Sequence, residues 1–270
     1  MKNSKLLAVL LAAVAGTQCL TGCSGKKGSN VQLYADTAAT SDTESAAGGS
    51  EFSGDNYQKE EYADQLLEYV NSIEVDDSEL DLGSVDDDLI TPEEGSVDYD
   101  LGSYRLSSGG IKLYYNADDF PRELMLTFEK YFESFASADY NNYLKCLFPE
   151  YIPEMEAALA KNEDHDMKAS FVNQCSNLAD KMHGDFKITR IKVEKNAEQE
   201  DGTDSLEEYF KPLSNYFGKD YYSEVKEQCD DIIDACFYVM AENAYGQETM
   251  MVQGFKIAFA VKDGKYYTFG

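Results

Sequence analysis

Apolar residues recur at helical spacing along Leu124, Phe128, Tyr131, Phe132 and Phe135, which marks one buried face of a helix. Asp118 and Asp119 precede that run as capping residues, with Pro121 in the first turn. Asp139 caps a second, short helix with Tyr140, Tyr143, Leu144 and Leu147 on one side, and Pro149 stops it. Ile152, Met155 and Leu159 mark a third piece. Met167, Phe171, Cys175, Leu178 and Met182 form the cleanest helical stripe, ended by Gly184. The rhythm then shortens to two. Phe186 and Ile188 alternate, and Ile191 and Val193 alternate on the other parity, so the spacing predicts a strand with a bulge near Thr189–Arg190. Ser205 with Glu208 reads as a capping box, opening a helix with Leu206, Phe210, Leu213 and Phe217 inward and a kink at Pro212. Two long strands follow, one through Ile233, Ala235, Phe237, Val239 and Ala241, the other through Met251, Phe255, Ile257, Phe259 and Val261. Asp263-Gly264 is a hairpin signal before a closing strand over Lys265–Phe269. The expected fold is α+β over residues 113–270: N-terminal helices packed on one curved antiparallel sheet, cone-like in shape.

Upstream the pattern is different. Lys2 and Lys5 are followed by the apolar run Leu6 to Ala15, too short to span a bilayer. That order is a signal peptide's, assigned to residues 1–22. Leu20-Thr21-Gly22-Cys23 resembles the bacterial lipobox, with Leu20, Thr21 and Gly22 as the peptidase recognition residues. The resemblance implies a lipid-bearing Cys23, with acyl chains such as palmitate anchoring the chain on the extracytoplasmic face of the cell membrane. Residues 23–112 read as an acidic, mostly disordered tether. Between residues 28 and 112 there are 21 Asp and Glu against three Lys and Arg, a balance that disfavours folding alone. One stretch near 57–73 breaks the pattern. Tyr62, Leu66, Leu67, Tyr69, Val70 and Ile73 fall near helical spacing and predict a short helix, transient or docked. The acidic cluster around Asp86-Asp87-Asp88 lacks the spaced ligands and central Gly of a calcium loop.

Charge narrows the function classes. The formal net charge of the 270 residues is -28, which repels phosphates and argues against nucleic acid. It equally argues against charge-driven adsorption to anionic lipid.

Three features of the C-terminal part point to a family: the opening helix followed by Ala138-Asp139-Tyr140-Asn141-Asn142-Tyr143-Leu144, the long late strands, and the ending Lys262-Asp263-Gly264-Lys265-Tyr266-Tyr267. Together they resemble the nuclear-transport-factor-two-like (cystatin-like) α+β cone, as used in exported lipoproteins of Gram-positive gut bacteria. The chain departs from it at Tyr266, where the family often has Trp, and in the helix at 205–217. The resemblance implies either a binding cone or an enzyme with a carboxylate inside it.

Candidate chemistry is sparse. His165 and His183 are the only histidines, and no spacing puts two ligands on one face for a metal. His165 reads as loop and His183 as a helix C-terminal residue. Cys146, Cys175, Cys229 and Cys236 are compatible with one or more disulfides or with buried thiols, except that Cys229 and Cys236 are too far apart to pair. Asp234, Tyr238 and Glu242 share one strand face, so Asp234 and Tyr238 are the candidate ligand-binding residues if that face lines the cone. If it faces solvent, they are ordinary polar positions. Tyr131, Tyr140, Tyr143, Tyr151, Tyr221 and Tyr222 offer contact area or half-buried packing. No cofactor fingerprint or nucleophile motif is present. The balance favours a lipid-anchored binding module for a small molecule, peptide or envelope protein over an enzyme or a structural spacer.

Overall fold

The computed structural model describes residues 59–161, 166–196 and 205–270. The signal peptide, the lipobox with Cys23, the first part of the tether and His165 lie outside the described residues.

Seven helices and six strands are described. They are α1 (Lys59–Ser72), β1 (Arg105–Leu106), β2 (Lys112–Tyr114), α2 (Arg122–Ser137), α3 (Tyr140–Cys146), α4 (Tyr151–Leu159), α5 (Met167–Met182) and β3 (Lys187–Glu194). Then come α6 (Ser205–Phe217), α7 (Tyr221–Gln228), β4 (Asp231–Glu242), β5 (Glu248–Lys262) and β6 (Lys265–Tyr267). The strands form one curled sheet in sequence order, β1 to β6. The fold is therefore α+β, with helices on a half-barrel sheet.

The sheet is not wholly antiparallel. β2 pairs in parallel with β3, Leu113 opposite Ile191, and α2 to α5 form the crossover that such a pair requires. β1 and β2 were invisible to periodicity because strands of two and three residues show none. The expected bulge is present, with a register shift between Ile188 and Arg190.

The core forms where α2 crosses the sheet. Phe128, Phe132, Phe135, Phe237 and Phe259 are essentially unexposed, and the Phe128 and Phe237 rings stack with centroids 3.5 Å apart. Burying each such side chain contributes roughly 1.5–3 kcal/mol. Asp139, Asp166 and Asp220 cap α3, α5 and α7 by accepting from backbone N–H groups. The expected Asp118/Asp119 cap on α2 is absent: Pro121 is its N-cap, without a side-chain bond. Asp119 instead accepts from Asn116 and pairs with Lys195 at 2.6 Å. Pro212 lies inside α6, which runs on through it. α7 was hidden because its sequence, YYSEVKEQ, carries only Tyr221 and Val225 inward.

Ordered packing begins well before residue 113. α1 lies on α5, with Val70 fully buried and Lys59 Nζ 2.7 Å from Asn177 Oδ1. The following residues form an arm that pairs with the sheet edge through bridges Val85 to Ser107 and Ile90 to Tyr104. Val85 is buried in the core and Leu80 and Leu82 pack against it, and the arm's acids add ion pairs. Asp76 pairs with Lys145, Glu79 with Lys265, Asp87 with Arg122, and Asp98 with Lys112 and Arg190. A composition too polar to fold alone is held by these apolar contacts and by the basic groups of the domain beside it.

Candidate functional site

The concave side of the sheet is filled. Phe128, Phe132, Phe237, Phe255 and Phe259 meet there ring to ring. A carboxylate inside a hollow cone therefore has no place at these positions.

Asp234 lies on the other face of β4. Its neighbours Ala235, Phe237, Val239 and Ala241 take the core face, as strand alternation requires. Asp234 is half-buried and accepts from Asn196 Nδ2 at 2.8 Å and from the Ser205 hydroxyl. These groups, with Glu208, Tyr209, Lys256 and Ile257, line a hollow of about 200 Å³. The Ser205 hydroxyl at the start of α6 is thus directed to the sheet. Tyr238 shares the Asp234 parity, half-buried, opposite Lys192 of β3. The structure gives the two candidates one face, and the hollow beside Asp234 is not lined by Tyr238. Glu242, at the strand's end, is exposed.

The larger concavity is a cleft of about 710 Å³ on the helical side. Tyr140 and Leu144 of α3, Ile152 of α4 and Met167 of α5 make its apolar floor, and Val75, just beyond α1, is its exposed lip. Asp76, Asn141, Lys145, Glu156, Asp166 and Lys168 form a charged and polar rim. Several rim groups pin the strap after α1 in place. Asn141 donates to the Glu74 carbonyl at 3.1 Å and accepts from the Asp76 N–H at 3.2 Å. Lys145 reaches Asp76 at 2.8 Å and Ser78 at 2.7 Å. Hydrogen bonds from Lys145 and Ser78 hold the Asp76 carboxyl down at about 2. Lys168 sits 5.7 Å from the Tyr140 ring centroid, a cation over an aromatic face. Leu144, Ile152 and Met167 read in the sequence as core stripes. Only the convergence of three helix ends shows that they share a cleft.

One buried acid escaped the sequence reading. Glu129 of α2 is 1% exposed. Its Oε1 accepts from Ser107 Oγ at 2.9 Å, and its Oε2 has no partner among the described residues. Burial pushes its carboxyl up to about 7, against the Ser107 bond and helped by Glu133 nearby. A Glu beside the Phe128 stripe looks like a polar-face residue until the β1–β2 turn is seen to cover it.

Apart from Tyr140, which also floors the cleft, the remaining candidates are structural. Tyr131, Tyr140, Tyr143, Tyr151 and Tyr221 are buried, and Tyr222 is half-buried against Phe210. All four described cysteines are free thiols; burial pushes those of Cys146 and Cys175 far up. His183 is the left-handed C-cap of α5, its ring 5.4 Å from that of Tyr245. Among the described residues, no group of three or more His, Cys, Asp or Glu is arranged to hold a metal. No described helix is long and apolar enough to cross a membrane. Compared with known proteins, the chain matches no family model, no curated protein and no solved structure.

Proposed function

We propose that this protein is a lipid-anchored extracytoplasmic binding module that takes an amphipathic ligand in the cleft between the strap after α1 and helices α3, α4 and α5. The observation that carries the reading is the contrast between the two concavities. The sheet's inner face is packed solid, whereas the helical cleft is open, apolar below and charged at its rim. Its volume falls in the range of roughly 300–1,000 Å³ common for ligand sites. The apolar floor suits a hydrocarbon or aromatic body, and the rim sets Lys145 and Lys168 among Asp76, Glu156 and Asp166, so a polar end of either sign meets a partner there. The curled sheet under helices supports the nuclear-transport-factor-two-like reading, with the parallel β2–β3 pair as its departure. The lipobox at Leu20 to Cys23 supports the anchor, and the net charge disfavours nucleic acid.

The test uses anilinonaphthalene sulfonate, an amphipathic anion that brightens in apolar sites. The full chain is expected to enhance its fluorescence saturably, and Leu144→Glu, which puts a charge on the floor, to abolish the enhancement. Failure of the folded wild type to bind the probe, or equal binding by the variant, overturns the cleft as the site.

A further inference from the structure

The β1–β2 hairpin turn, Ser107 to Gly110, closes over α2 where Glu129 lies. Ser107 is the hub of this contact. Its hydroxyl donates to Glu129 Oε1 at 2.9 Å and accepts the Ile111 N–H at 3.2 Å. Its backbone bridges to Val85 of the arm. Ser108 N–H donates to the Ser84 carbonyl at 2.8 Å, and Asp86 N–H to the Leu106 carbonyl at 2.8 Å. Gly109 lies so close that a Cβ there would stand 2.9 Å from Glu129 Oε1 and 3.2 Å from Glu133 Oε1. Arm, turn and buried acid are therefore one packed unit.

We propose that Glu129 is a proton-operated latch: the arm and hairpin, residues 84–114, lie closed on α2 while Glu129 is neutral and are released when it ionises. A buried carboxylate needs a cation or several donors. Here a single hydroxyl reaches it. The charged groups around it do not compensate. Glu133, one turn along α2, repels it. Lys130 is held by Glu133 at 2.8 Å and is drawn also by Asp81 of the arm. Lys187 of β3 lines the hollow beyond Glu133 and is exposed. The turn itself, Ser-Ser-Gly-Gly, carries no charge. Opening the turn hydrates the carboxylate, so ionisation favours the open form. The sign follows from the raised carboxyl: the closed form holds the proton at a pH where the open form has released it.

Hydrogen exchange of the full chain, normalised to intrinsic rates, tests this. Between the ordinary glutamate range and about pH 7 the protection of residues 84–114 should fall about tenfold per pH unit and then level off, while β4 and β5 stay protected. In Glu129→Gln, which keeps the shape and removes the ionisation, that slope should vanish. Ser107→Ala should lower protection at all pH values yet keep the slope, and it serves if the Gln variant misfolds. Protection independent of pH in the wild type, an unchanged slope in Glu129→Gln, or parallel loss in β4 and β5 would overturn the latch.

Discussion

Asp98 shows how much one side chain holds in this molecule. Its carboxylate takes Lys112 Nζ and the Tyr114 hydroxyl at 2.5 Å each and Arg190 Nε at 2.8 Å, joining the arm to β2 and β3. Burial pushes the carboxyl up, but the three donors outweigh it and hold it below the usual range. The linkage sign is that of a depressed acid: the stabilisation is present above the ordinary carboxylate pKa and is lost as pH falls through the lower, folded value. Asp98→Ala leaves Arg190, 11% exposed, without this partner and should cost about 2–3 kcal/mol at neutral pH. Urea unfolding at two pH values checks it: the gap between wild type and variant should shrink below about pH 4. Cysteine reactivity is a second prediction at this scale. Among the described cysteines, Cys146, Cys175 and Cys236 are buried, and Cys229 alone is half-exposed at the end of α7. Of these four, iodoacetamide should label Cys229 first in the folded chain, and Cys146, Cys175 and Cys236 only after unfolding, with mass spectrometry as the readout.

Among the elements, those with a long, single-period stripe are legible in the sequence. The 4, 4, 3, 4 spacing through Cys175 became α5, and the alternation through Phe237 and Phe259 became β4 and β5. The parity slip near Thr189 became a real bulge because a strand with one buried face cannot shift by one residue silently. What failed to read was whatever owes its structure to a neighbour. β1 and β2 exist because β3 and the arm pair with them. α7 has too few apolar positions to show a face. The cleft was illegible for the same reason, since Tyr140, Ile152 and Met167 belong to different helices. Asp234 was legible as a position on a face but not as the acceptor of Ser205 and Asn196, which come from distant parts of the chain.

At the scale of the whole molecule, the net charge of -28 coexists with a folded arm because the acids are not idle. Each exposed ion pair is worth about 1 kcal/mol or less, but four acids of the arm reach Lys or Arg of the domain. Cys23→Ala removes the proposed acyl anchor, worth roughly 0.8 kcal/mol per buried CH₂, and should move the protein from the membrane to the soluble fraction on sedimentation. A variant that stays with the membrane would remove the anchor from the reading. The antiparallel lie of α1 on α5, with Lys59 beside Asn177 and Asp180 and Ile73 beside Lys168, has a mechanical side. Tension delivered through residue 58 acts on one end of the α1–α5 seam and peels it contact by contact, rather than shearing all contacts at once. Behind that seam the arm is stored length. Residues 59–104, drawn out, would span about 160 Å, so a pull through residue 59 pays out slack before it reaches β1 and the sheet.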